Sequence, residues 1–567
     1  MKRSDFFKII WVISVAYLLI SAVSLRRDYQ DSWTLQGLEI PFACFAVTFI
    51  LAFFSERKVV WQALIAVVSS VTFTLVPDLK YTWFMGVAID QNMQYSLANN
   101  VLTTGHIMTS VPVSSFSQYT SVPLLHMLFA SSSILLNSSL VNAVKFAPLL
   151  FSPLFCLTTY AIVSKLSLDK NGQTARYALF LSAIPISAAG YAFGGVTFGI
   201  PLLLVVLFLL FSAIEIKDRR YLVLFVFFLI ALAAAHSATS IMLGAIFSVI
   251  LIVQKFPFFS SRIKVPNALL MLPALIALVW IVLPAFVNFE TIVNSFAFSV
   301  PKGTTPTSDY ITPTFFELLK ASPIAGFETF LLYYGADFFL LALGLIGLLL
   351  VLRHRQKMNN LLGVTVIFFV TCLLILVFSY VIKLGPTRIL TFIEILLPIF
   401  AAVTLLHLPK KKVLIPLFLG AILVLSAVQF YKCQPLEAPA SLVDHSLSSN
   451  VPLGYVVDVN SIYQRQVVTF ALNYFDQGRI TCDYITYDQF MSVANSSFVS
   501  SHLPYQDYPI GENELPTSYQ LFIIHLPGVA GGYNEPAPIR STDVITQQIE
   551  NSSVVYSNGQ SFALLNH

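Results

Sequence analysis

Apolar residues in this chain fall in runs of roughly 17 to 25, each long enough to cross a ~30 Å hydrocarbon core as an α-helix. The runs predict helices over 8–25, 38–54, 59–76, 140–164, 177–192, 196–214, 221–236, 238–254, 267–287, 330–352, 361–382, 388–406 and 413–430. Two stretches between the third and fourth runs break this pattern. In 86–104, Ile89, Met93, Leu97 and Val101 recur every four residues and make one apolar stripe on a helix. Asp90, Gln91, Gln94 and Asn99 lie off the stripe, and Gly105 supplies a stop. That helix is expected along the membrane surface, with Asp90 turned to water or a cavity. The second stretch, VPLLHMLFASSSILL at 122–136, is too short for a full crossing and reads as interfacial or re-entrant. Together, residues 77–136 make the first large loop between membrane helices.

Composition agrees with the pattern. The 567 residues are 57% hydrophobic and 11% charged, with a mean hydropathy of +0.78, which excludes an ordinary soluble domain. The fold class expected is a polytopic α-helical membrane protein of about thirteen spans over residues 1–431. A small soluble α/β domain over 432–567 follows it.

Charge then orients the spans. With a cytoplasmic N-terminus, the inner connections are 1–8, 55–58, 165–176, 215–220, 255–264, 353–357 and 407–412, and they hold 20 of the 32 Lys and Arg. The loops 77–136 and 288–329 and the C-terminal domain then lie outside the cytoplasm. The sequons at Asn137, Asn495 and Asn551 fall on that same side. The first run also fits a signal peptide, but Arg26 and Arg27 follow at once and favour a retained helix.

The outer loop 288–329 is rich in Thr and Pro, and either a lid or a disordered tether accounts for its length. The tail alternates strand and helix patterns and ends in a hairpin across Asn558-Gly559. It is acidic while the membrane part is basic, and neither gives a reason to invoke nucleic acid. Cys433 and Cys482 are a candidate disulfide if the tail is extracytoplasmic. Cys44, Cys156 and Cys372 sit in apolar runs and read as inert core residues.

Ionisable residues within spans are costly and default to functional candidates. Asp78, Asp90, His106, His126, His236, Asp337, Lys383, Arg388 and Glu394 all map to the outer half in this topology. The inner loops lack acids in catalytic spacing, a P-loop or GxGxxG, which excludes a cytoplasmic nucleotide-sugar enzyme.

An acid in the first outer-loop helix is followed by a Tyr/Pro/Leu/His patch (YTSVPLLH). After these comes VNAVKFAPLLFSPLFCLTTYAIVSKL, ending in a basic inner turn. This arrangement resembles the GT-C superfamily of polytopic glycosyltransferases, in the style of dolichyl-phosphate-mannose-protein mannosyltransferases of archaeal type. The resemblance implies transfer of a sugar from a polyprenyl-phosphate donor in the membrane to a protein, lipid or glycan acceptor. Such chemistry needs a base for the acceptor and cations for the departing phosphate.

Asp90 is the candidate base and Asp78 the second. Arg388, able to hold phosphate by two parallel bonds, and Lys383 are the donor-phosphate candidates. His106, Tyr119, His126, His236, Asp337 and Glu394 complete the candidate substrate pocket; for His236, helix capping accounts for the residue equally well.

Two departures qualify the resemblance. Asp90 has no partner acid in an Asp-x-Asp or Glu-x-Asp, so a divalent metal enters only through Asp90, and one carboxylate is a poor cage for it. No Trp-Trp-Asp occurs among the five tryptophans, which argues against an oligosaccharyltransferase. Two rivals remain. One is a lipid-linked glycan transporter, which would want inverted repeats and charge spread through the membrane. The other is a non-catalytic envelope scaffold working through its acidic tail.

Overall fold

The computed structural model describes residues 3–26, 37–80, 89–107, 122–146, 148–184, 195–256, 264–282, 323–353, 359–381, 392–409, 411–432, 462–475, 480–482, 490, 521–525, 553–557 and 561–565. In chain order the helices are α1 (Arg3–Ser24), α2 (Glu39–Ser55), α3 (Val59–Lys80), α4 (Ile89–Thr104), α5 (Leu124–Leu135) and α6 (Leu140–Lys145). They continue as α7 (Pro148–Leu166), α8 (Gln173–Ser182), α9 (Gly195–Ile216), α10 (Arg219–Ala235), α11 (Ser237–Val253) and α12 (Asn267–Val282). The last are α13 (Pro323–Arg353), α14 (Asn360–Val381), α15 (Leu397–His407), α16 (Lys411–Lys432) and α17 (Ile462–Tyr474). Among the described residues six helices are long and apolar enough to cross a membrane, including α1, α3 and α14, and several shorter apolar helices accompany them.

Three segments depart from the sequence pattern. The run expected over 140–164 is described in two pieces, α6 and α7, which together are long and apolar enough for one crossing. Helix α8 starts earlier than expected, after Gly172 with its positive φ of 64°. In the run 388–406, α15 begins at Leu397 after a turn at Ile395–Leu396, with Pro398 in its first turn. Cys156 and Cys372 are buried, but Cys44 is exposed on the outer surface of α2 rather than in the core.

The basic connections are sewn together. Lys8 Nζ donates to Glu56 Oε2 at 2.8 Å, and Arg176 Nη2 to the Arg57 carbonyl at 3.3 Å. Lys165 Nζ reaches Glu215 Oε2 at 2.7 Å, and Asn359 Nδ2 the Leu166 carbonyl at 3.1 Å. Asn360 accepts from Lys264 N–H at 2.9 Å and donates to its carbonyl at 3.2 Å. These bonds join 1–8, 55–58, 165–176, 215–220 and 255–264, with the start of α14, at one end of the bundle.

The helix pair α13 and α15 shows how the chain returns to that end. A Cβ on Gly344 would meet Leu397, and one on Gly347 would collide with the Phe400 carbonyl. Both contacts advance by three residues along both helices, so α13 and α15 run parallel, with α14 as the antiparallel return between them. Thr404 Oγ1 locks the pair through a 2.5 Å bond to the Leu343 carbonyl.

One large apolar core runs through α1–α3 and α7–α16, and a separate small one lies under α4–α7. In the tail, β1 (Ile480–Cys482), β2 (Leu521–His525), β3 (Ser553–Ser557) and β4 (Ser561–Leu565) form a sheet in the order β1-β2-β4-β3. The β1/β2 pair is parallel and the other two are antiparallel, with α17 packed on β4 and β3.

Candidate active site

The end of the bundle away from the basic connections is built around α4 and α5. Helix α4 stops where Gly105 turns to a φ of 74°, its N–H still bonded to the Val101 carbonyl at 3.0 Å. Helix α5 ends in a Schellman closure: Ser138 N–H bonds the Ser133 carbonyl at 3.0 Å and Asn137 N–H that of Ile134 at 3.1 Å. Asn137, at the left-handed position with φ 47°, tolerates that conformation through its short polar side chain. Ser139 then caps α6 by accepting from Asn142 N–H at 3.3 Å. The Asn-Ser-Ser triplet that reads as a sequon therefore ends one helix and starts the next.

Of the predicted stripe on α4, Leu97 is buried and Val101 half-buried, and the buried face extends beyond them to Gln94 and Ala98. Ala98 packs with Leu125, Phe129, Leu140, Val144 and Phe151, with Tyr95 and Leu102 at the margin. Gln94, expected to face away, is 0% exposed, and its Oε1 is hydrogen-bonded to Nε2 of His126, itself 1% exposed. With Oε1 accepting, His126 must be the Nε2–H tautomer. The Nε2 of Gln94 is buried with no hydrogen-bond partner among the described residues. Asp90 precedes Gln94 by four residues, about one turn, so the two positions share the α4 face that meets α5.

The other candidates lie at the same end or in the same half. Asp78 stands in the last turn of α3, which starts beside the basic connection 55–58 and runs away from it. At 1.5 Å per residue, His236 is about 25 Å from Arg219, Asp337 about 24 Å from Arg353 and Glu394 about 20 Å from His407. Asp337 and Glu394 are both buried. Carrying the α13/α15 register back places Glu394 within about 6 Å of the level of Asp337.

His236 caps α11: its Nδ1 accepts from Thr239 N–H at 3.3 Å and lies 2.6 Å from the Thr239 hydroxyl. Gly199 of α9 fits against it, since a Cβ there would come within 2.9 Å of the His236 Cβ. His106 is exposed beyond the end of α4, its backbone N–H bonded to Thr104 Oγ1. Tyr119, Lys383, Arg388 and Cys433 lie outside the described residues, so neither the phosphate candidates nor the Cys433–Cys482 pairing is placed.

Sequence reading passed over Lys80. It closes α3 two residues after Asp78 and is 0% exposed. A Lys at a helix end normally snorkels to the headgroups, so its place in the sequence does not single it out. A buried ammonium instead requires charge or hydrogen-bond partners, so Lys80 puts a buried cation in the same last turn of α3 as Asp78.

The acids at the basic end behave differently. Partial burial pushes the Asp169 carboxyl up, but bonds from Thr174, Gln173 and Asn171 together outweigh it and hold its pKa below the ordinary range. Glu56 shows the same balance: burial pushes it up, and Lys58 N–H, Lys8 and Arg57 N–H bring it down. Each has a full set of local partners, the pattern of a structural carboxylate. Among the described residues no three His, Cys, Asp or Glu side chains cluster as a metal set.

No family model and no curated protein sequence matches the chain. Solved structures do. The Archaeoglobus fulgidus oligosaccharyltransferase AglB, in complex with an inhibitory peptide and a dolichol-phosphate, aligns with a TM-score of 0.54 over 89% of this chain and 74% of that one, at 12% identity. The same enzyme tethered to an acceptor peptide containing the NVT sequon gives 0.51 over 89% and 73%, at 12% identity. The chain shares the fold of these oligosaccharyltransferase structures. The AglB structure complexed with Zn and sulfate aligns equally, at 0.51 and 12% identity over 89% and 73%.

At this identity what the chain shares with those enzymes is the fold. The missing Trp-Trp-Asp therefore does not separate this chain from the fold of those enzymes. It bears only on how an acceptor would be held.

Proposed function

We propose that this protein is an integral-membrane glycosyltransferase that moves a sugar from a polyprenyl-phosphate-linked donor to an acceptor at the outer face. The observation that carries the reading is the gathering of ionisable groups away from the basic connections, in a chain that shares the fold of oligosaccharyltransferase structures. In this reading thirteen helices cross the bilayer, the N-terminus and basic connections are cytoplasmic, and the tail is an extracytoplasmic α/β domain.

Asp90 is the general base. It takes the proton of the acceptor nucleophile as that atom bonds to the sugar's anomeric carbon. The bond from that carbon to the phosphate oxygen breaks at the same time, and the phosphate leaves on its lipid. Asp78 orients the acceptor or shares the proton. Arg388 and Lys383, with the buried Lys80 beside Asp78, neutralise the charge that grows on the phosphate. Tyr119, His106, His126, His236, Asp337 and Glu394 shape the pocket around the sugar and the acceptor.

The dolichol-phosphate and sequon-peptide complexes of AglB support a lipid-phosphate donor and a peptide acceptor. Without Trp-Trp-Asp, that peptide would be gripped by other residues. A divalent metal, if used, would bind through Asp90, where it would act as a Lewis acid on the phosphate. Among the described residues no three His, Cys, Asp or Glu side chains come together as a metal set.

The test is direct. Membranes containing the protein are incubated with labelled polyprenyl-phosphate sugars and with peptide, lipid and glycan acceptors. Transfer of label to peptide supports the reading. Carrier translocation without transfer would replace it with a transporter.

A further inference from the structure

Gln94 is a buried polar group with no part in the proposed transfer step, and it lies on the same helix as Asp90. Its two ends are in different states. Oε1 is satisfied by His126, which fixes the amide so that its oxygen faces α5. The amide nitrogen is fully buried and has no partner among the described residues. A buried donor left unsatisfied costs about 1–3 kcal/mol, and folded proteins rarely leave one without a reason. The donor sits one turn from Asp90 on the same face of α4. The described helix interface around it, Ala98, Leu125 and Phe129, is apolar.

We infer that Gln94 is a substrate-binding residue, whose amide N–H donates to a neutral oxygen of the reacting partners. This rests on the proposed glycosyl transfer. An uncharged donor in an apolar interface beside an acid position suits a hydroxyl or carbonyl oxygen better than a phosphate, whose charge calls for cations. Two sources carry such an oxygen: the sugar of the donor and the acceptor. His126 is then a positioning residue, holding the amide so that its nitrogen is presented.

The variant that separates binding from structure is Gln94→Glu, tested in the full-length protein in vesicles. A carboxylate still accepts from His126 but has no N–H to offer. The expected result is a lower melting temperature, the cost of a buried carboxylate, together with a KM raised about tenfold at a temperature where the variant is fully folded, the worth of one hydrogen bond. The rise falls on the acceptor if its oxygen is the partner, and on the lipid-linked sugar if the sugar's is.

Activity relative to wild type should recover as the pH falls, because a protonated carboxyl regains an O–H donor. A purely structural pin between α4 and α5 would recover melting temperature as the pH falls but leave both KM values of the folded variant at the wild-type level throughout. His126→Phe should lower both the melting temperature and kcat/KM. The inference is overturned if Gln94→Glu matches wild type in both KM values, or if its activity falls only in step with its melting temperature. Absence of transfer by wild-type protein in the same assay would instead overturn the glycosyltransferase reading.

Discussion

Gly347→Ala tests the packing that sets the depth of Asp337 and Glu394. A Cβ at Gly347 would lie 2.6 Å from the Phe400 carbonyl carbon and 3.0 Å from Thr404 Oγ1, where ordinary contact begins at 3.4 Å. Phe400 offers backbone rather than a movable side-chain tip, so α13 and α15 must separate by roughly 1 Å. A gap of that size forfeits about a quarter to a half of each dispersion contact across the interface. It also stretches the buried Thr404–Leu343 bond, worth about 1 kcal/mol net.

Taken with the usual 1–3 kcal/mol for overpacking, the expected loss is about 2–4 kcal/mol. Gly420 in α16 is the internal control: a Cβ there meets nothing within 4 Å, so the same change should stabilise by up to about 1 kcal/mol. Thermal unfolding of both variants in one detergent reads the difference. A Gly347→Ala protein melting at or above wild type would refute the close parallel packing of α13 on α15.

Phe129→Ala should cost about 3–5 kcal/mol by opening a cavity in the small core under α4 and α5, read as early proteolysis of that loop. Asp169→Asn should weaken the protein at neutral pH and flatten its acid stability curve. The folded pKa of Asp169 is depressed, so its contribution is present above the ordinary carboxylate range and is lost as pH falls through the folded value. A thermal-melt series across acidic pH checks this. Single cysteines at Lys170 and Thr103, placed in a cysteine-free background, should react with an impermeant thiol reagent from opposite sides of sealed vesicles.

Much of the bundle was legible because the bilayer demands long apolar runs, and because Lys and Arg mark one side. The small site elements were less so. Periodicity placed Gln94 on a polar face of α4, yet a partner 32 residues away turned that face inward. Such pairing depends on where α5 docks, which no local pattern encodes. Lys80 was hidden for a similar reason: its burial is a property of the assembled bundle, while its position in the chain imitates an anchor. His236 was legible only as a choice between capping and chemistry, and its bond to Thr239 N–H shows the cap.

The most direct measurement uses sealed vesicles of known orientation, with a labelled polyprenyl-phosphate sugar in the bilayer and acceptor peptide supplied to one side at a time. The account predicts glycopeptide only when the peptide faces the end opposite Lys170, and a fall of at least about a hundredfold for Asp90→Asn, the usual scale of a lost general base. Product formed on the Lys170 side, or an Asp90→Asn protein that transfers at the wild-type rate, would contradict it.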